Sequence, residues 1–183
     1  MTLRTKLRIA ARDPGAANLL AGLLREPGLT EGHECDLWVT ANVAAYFDQA
    51  GLPVRIFEHP PTAAVMLREW QADPADALIT GTSHYEPFDD LLWQAARTTA
   101  TPSVAAVDYW SNLARRFPTV RPDSIGVIDP AQATEARAIG FEDIVITGHP
   151  SLTAINPAPP RPAGKAVSVL FVSERIAADV AEG

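Results

Sequence analysis

Short apolar runs recur along the chain at residues 7–11, 36–39, 54–57, 77–80, 103–107, 124–128 and 144–147. Each is four or five residues long, and they are mostly apolar on both faces. That is the pattern of a parallel strand covered by helices on both sides. Between the runs, apolar positions recur three and four apart, as on one face of a helix. Leu19, Leu20, Leu23 and Leu24 form one such stripe. Ala63, Met66, Leu67 and Trp70 form another, and Phe88, Leu91, Leu92, Ala95 and Ala96 a third, with Pro87 suited to its first turn. The sharpest helix signal spans 130–139. Asp129 caps it, Pro130 is its first residue, Gln132 is the capping-box partner and Gly140 stops it. Thr40 is expected to cap a helix ending at Gly51, with Pro53 blocking continuation.

Strand–helix alternation predicts an α/β fold: a doubly wound, mainly parallel, Rossmann-like sheet of about seven strands with helices on both faces. At 183 residues the chain has room for one such domain and a fragment of a second. The domain is expected over residues 1–155. A linker follows over 156–165, opening with Asn156-Pro157-Ala158-Pro159-Pro160-Arg161-Pro162, a proline density that favours an extended, semi-rigid connection. Residues 166–183 begin with an emphatic apolar strand, 166–172, but are too few for a second domain.

Charge narrows the partners. The net charge is −7, with no basic stretch to follow a duplex, so nucleic acid is excluded as a ligand. A single cysteine, Cys35, at the head of an apolar run, excludes a disulfide framework and reads as a small core residue. No stretch approaches the ~20 apolar residues of a membrane span, and the N-terminus reads as a first strand rather than a signal peptide. The expectation is a cytoplasmic protein with no membrane span. No carboxylate pair or histidine cluster has metal-ligand spacing, so neither metal nor resident cofactor is expected, the alternative being a magnesium ion that accompanies a phosphate.

The polar residues are informative because of where they fall. In a parallel doubly wound sheet, ligands bind outside the carboxyl ends of the strands. After the first run comes Asp13-Pro14-Gly15-Ala16-Ala17-Asn18, whose small residues let an anion approach a helix N-terminus, or which forms a plain turn capped by Asp13. After the fourth comes Gly81-Thr82-Ser83-His84-Tyr85-Glu86. His84 is a candidate general base, and Thr82, Ser83 and Glu86 are candidate ligand contacts. The bland alternative has Ser83 or Glu86 capping the next helix. After the fifth comes Asp108-Tyr109-Trp110-Ser111-Asn112, then Arg115-Arg116. Tyr109 and Trp110 offer ring faces to a sugar, Asp108 and Asn112 offer polar contacts, and Arg116 suits a phosphate or carboxylate. The alternative is that Trp110 and Phe117 pin the loop while the arginines are solvated. His149, in Gly148-His149-Pro150-Ser151, ends the series as a ligand contact or a crossover residue.

The segment Ile144-Val145-Ile146-Thr147-Gly148-His149-Pro150-Ser151-Leu152 resembles the end of the N-terminal domain in two-domain GT-B glycosyltransferases and their UDP-GlcNAc 2-epimerase relatives. Val167-Ser168-Val169-Leu170-Phe171-Val172-Ser173 looks like the first strand of their second domain, and the proline linker like the hinge between the two. The resemblance implies an acceptor-side half. Its loops at 13–18, 81–86 and 108–112 would face an interdomain cleft. The catalytic base would come from His84, Asp108 or Asp13, in that order. Gly15, Asn18, Thr82, Ser83, Glu86, Tyr109, Trp110, Asn112, Arg116 and His149 would contact a sugar or other small anionic substrate. A nucleotide-sugar would be co-substrate, bound mainly by a second domain or subunit, so the chain by itself would be inactive. The alternatives are a stand-alone small-molecule-binding module, or a single-domain hydrolase or epimerase using His84 and Asp108. Self-association through the Tyr109–Trp110 face or the 166–172 strand is also expected.

Overall fold

A computed structural model describes residues 4–83, 87–110, 112–117 and 119–150. His84, Glu86, the proline linker and the 166–172 strand therefore lie outside the described residues. Among the described residues, seven strands form one sheet: β1 (Lys6–Ala11), β2 (Glu34–Thr40), β3 (Val54–Phe57), β4 (Ala77–Thr80), β5 (Ser103–Ala106), β6 (Ser124–Val127) and β7 (Ile144–Ile146). Every pairing is parallel, in the order β3-β2-β1-β4-β5-β6-β7. Each expected apolar run is a strand.

Helices cover both faces. On one lie α1 (Pro14–Leu23), the short α2 (Pro27–Gly32) and a 3-10 segment (Ala41–Phe47). They bury Leu19, Leu20, Val43 and Phe47 against Ile9, Leu37 and Val39. On the other lie α3 (Ala63–Ala72), α4 (Phe88–Thr98), α5 (Leu113–Arg116) and α6 (Pro130–Ala138). Aromatic rings knit that second layer together. Trp38 meets Phe57 and Trp70, Phe57 meets Phe88, and Phe117 lies between Trp93 and Phe141, with centroids 4.9–6.0 Å apart. Two of the buried indole N–H groups have partners: Trp93 donates to Thr80 and Trp70 to Thr99, each at 3.0 Å. Cys35 is a buried core residue, as expected, and burial pushes its thiol pKa up. No helix among the described residues is long and apolar enough to cross a membrane.

Several local expectations need correcting. The stretch after Thr40 is a 3-10 segment ending at Phe47, not an α-helix reaching Gly51. The Thr40 hydroxyl bonds the Asn42 side chain at 2.6 Å instead of capping. Pro87 occupies the N-cap of α4, not its first helical position. Asp129 does cap α6, accepting the Gln132 N–H at 2.8 Å. The Gln132 side chain, however, accepts from Ile128 N–H, one residue before the cap, so the reciprocal box is offset.

One buried charge went unforeseen. Arg8, mid-strand in β1, is fully buried. Its guanidinium lies 3.8 Å from the Trp38 ring centroid and 5.0 Å from that of Trp70. It donates twice to Asp36, at 3.1 and 2.6 Å, and to the carbonyl and carboxylate of Asp73, at 2.6 and 2.7 Å. Lys6 hydrogen-bonds Asp73 as well; with the Arg8 charge, this holds the Asp73 carboxyl below its ordinary pKa. Burying a guanidinium requires such complete pairing.

Candidate functional site

β1 and β4 are neighbours in the sheet, yet the helices that follow them depart to opposite faces, α1 with one core layer and α4 with the other. The winding thus reverses here, and in doubly wound sheets ligands bind at such a reversal, outside the carboxyl ends of the strands. Two glycines let the loops at this edge approach one another closely. A Cβ on Gly81 would sit 2.2 Å from the Ala16 Cβ, so the exit of β4 lies directly on the first turn of α1. A Cβ on Gly15 would sit 2.0 Å from Asp108 Oδ2, so the carboxylate beyond β5 lies over that same turn.

Asp108 anchors a polar cluster. Its Oδ1 accepts from Arg116 Nη1 at 2.8 Å and from the Thr82 hydroxyl at 3.4 Å. Arg116 Nη1 also lies 2.5 Å from Thr82 Oγ1. The Arg116 side chain is only 9% exposed, and its buried Nε has no hydrogen-bond acceptor among the described residues. Arg116 is thus not a solvated arginine: it is a buried cation with a donor left over, next to a carboxylate and a hydroxyl.

Ser83, beside Thr82, is tied down differently. Its N–H and its hydroxyl both donate to Asp89 Oδ2, at 2.6 and 2.7 Å. Asp89 stands in the first turn of α4 and is 3% exposed. Burial pushes its pKa up to about 7, against the opposing pull of the two Ser83 donors; the charges of Asp13 and Asp90 add to the rise. Asp89 was not singled out in the sequence. Its signal was a carboxylate three, four and seven residues before Leu92, Trp93 and Ala96, on the apolar face of its own helix.

The remaining candidates stand around the same edge. Asp13 occupies the N-cap position of α1 and its carboxylate pairs with Arg12 at 3.0 Å. Asn18 is exposed on α1. Tyr109 and Trp110 are 55% and 43% exposed. The Trp110 indole donates to Asp129 at 2.7 Å, and the Tyr109 carbonyl accepts from the Gln132 side chain at 2.8 Å. Trp110 is therefore both pinned to the α6 N-terminus and open on its ring, while Phe117, buried between two rings, holds the loop to the body. Asn112 takes a left-handed conformation, φ 61°, at the start of α5. His149 is half-buried after Gly148. Pro150 then lies against α1, at 3.0 Å from where a Gly22 Cβ would be. Together with Leu19, Leu23, Glu26, Ala106 and Thr147 it lines a cavity of about 400 Å³.

No protein family matches the chain in sequence, and no curated protein does so. Solved structures match it in fold. A UDP-N-acetylglucosamine 2-epimerase from Listeria monocytogenes, described as putative, superposes with a TM-score of 0.63 at 13% identity, over 87% of this chain and 49% of that one. The UDP-GlcNAc 2-epimerase from Neisseria meningitidis, solved with UDP-GlcNAc, gives 0.58 at 9% identity, over 79% and 47%. UGT89C1 of Arabidopsis thaliana, solved with UDP-L-rhamnose, gives 0.56 at 11%, over 87% and 54%. The chain spans about half the length of these structures. The resemblance noted at residues 144–152 thus extends to the fold: a Rossmann-like sheet equivalent to one half of a GT-B protein.

Proposed function

We propose that this chain is the acceptor-side half of a GT-B-type glycosyltransferase-like enzyme. It binds a sugar or other small anionic substrate and acts together with a nucleotide-binding second domain or subunit. The observation that carries this proposal is the Thr82–Asp108–Arg116 cluster, set over Gly15 where the sheet winding reverses. A buried guanidinium with a spare Nε donor suits a carboxylate or phosphate, which it binds more strongly than a neutral group. Asp108, oriented by two donors, would accept from a substrate hydroxyl. The open ring of Trp110 is a platform for a sugar face. His84, Asp108 and Asp13 remain the candidates for the base, in that order, and a nucleotide-sugar is the proposed co-substrate. The shared fold supports this proposal, and so does the half-length match to proteins solved with UDP-sugars.

Calorimetry with glucose 6-phosphate and with UDP-GlcNAc tests it. The wild-type chain should bind the sugar phosphate, and Arg116→Met should weaken that binding at least ~10-fold, the size of one lost charged hydrogen bond. Equal affinity in the variant would overturn the assignment. Turnover by the isolated chain, abolished in His84→Ala, would instead establish a self-sufficient enzyme.

A further inference from the structure

Thr82 and Ser83 are consecutive, yet they are held by different carboxylates on different elements. Thr82 is engaged by Asp108 and Arg116 from beyond β5. Ser83 is engaged through backbone and hydroxyl by Asp89 on α4. The exit of β4 is thus held by two anchors, one on each of two consecutive residues. Both Ser83 donors converge on the same oxygen, so the grip is strongest when that oxygen carries charge.

We propose that Asp89 is an acid–base positioning residue: ionised, it clamps Ser83 and holds Thr82 against Arg116 and Asp108; protonated, it slackens the loop and loosens the anion site. The proposal rests on reading the Arg116 cluster as an anion site, but the coupling exists without a ligand. Burial alone would keep a carboxyl neutral here, and the two donors pull it towards ionisation. The other charges bearing on it are Asp13, at the turn between β1 and α1, and Asp90 on its own helix; both are negative and both favour the proton. These opposed influences bring the exchange close to neutrality, with the carboxyl at about 7, where modest changes in pH move it.

The test is a titration of the full isotope-labelled chain by NMR between pH 5.5 and 8.5, following the Asp89 carboxyl carbon, the Ser83 and Thr82 amides and the Arg116 Nε–H. His84 is next in sequence and carries an imidazole, a group able to change charge near neutrality, so the series is repeated in His84→Ala. The expected result is one midpoint near 7 for all four signals, preserved in His84→Ala. In Asp89→Asn the Ser83, Thr82 and Arg116 signals become flat. Should that variant not fold, Ser83→Ala serves: it keeps the carboxylate but removes one donor, and the Thr82 and Arg116 responses should fall by at least half. An Asp89 midpoint below 5, or Thr82 and Arg116 signals that ignore the Asp89 titration, would overturn the proposal. Loss of the response in His84→Ala would overturn it too. Failure of sugar phosphates to bind would count against the proposed function alone and leave this titration decisive.

Discussion

Gly15 shows how one missing side chain shapes the site. The space a methyl would occupy is filled by the Asp108 carboxylate. Gly15→Ala therefore displaces Asp108 and strains its contact with Arg116. The expected cost is about 1–3 kcal/mol of stability, typical of overpacking, together with weakened sugar-phosphate binding. Urea denaturation and calorimetry check the two effects. An unchanged stability with unchanged binding would show that Asp108 has room to move. The glycine was legible in the sequence as part of a small-residue turn, but its reason was not: the carboxylate that excludes a side chain comes from a distant loop. Arg8 was hidden in the same way. It sits inside the run 7–11 with nothing nearby in sequence to pair it, and only the folded chain brings Trp38, Trp70, Asp36 and Asp73 around it.

At the level of elements, strands were easier to read than helices. The strands are covered on both faces, so their runs are continuously apolar whatever the surrounding loops do. The 3-10 segment at 41–47 escaped because, over so few residues, an apolar period of three cannot be told from 3.6. The α6 N-terminus was read correctly from Asp129 and Pro130, but its second duty was not visible. Asp129 also receives the Trp110 indole, so one carboxylate caps a helix and fixes a loop of the candidate site. The Gln132 N–H and the indole together hold its pKa below the ordinary carboxylate range. Asp129→Ala should lower stability by removing the N-cap. It should also change the Trp110 environment, read as a melting-point drop accompanied by an altered near-UV circular dichroism signal. A melting-point drop without the spectral change would separate the cap from the loop.

For the molecule as a whole, the buried carboxyl of Asp89 sets an unusual pH profile. In the folded chain it titrates at about 7; in the unfolded chain it does so at about 4. The folded state therefore holds this proton more tightly. The resulting stabilisation is complete below about pH 4, declines as pH rises, and is gone above the folded value. Asp73 and Asp129, both lowered, act in the opposite sense and lose their contribution on acidification below the usual carboxylate range. Stability should accordingly peak in mildly acidic solution. Relative to Asp89→Asn, which cannot ionise, the wild type should lose about 2–3 kcal/mol between pH 5 and pH 8. Urea denaturation at the two pH values checks this, and parallel behaviour of the two proteins would refute it.

The larger claim is that a parallel sheet wound in two directions gathers separate loops into one anion-binding rim. The most direct measurement is a map of amide shifts across the labelled chain during titration with glucose 6-phosphate. The account predicts that the largest changes fall at Gly15, Thr82, Asp108 and Arg116, on the edge where β1 and β4 end. Changes concentrated at the opposite end of the strands, around Arg8 and Asp73, or confined to one loop, would contradict it.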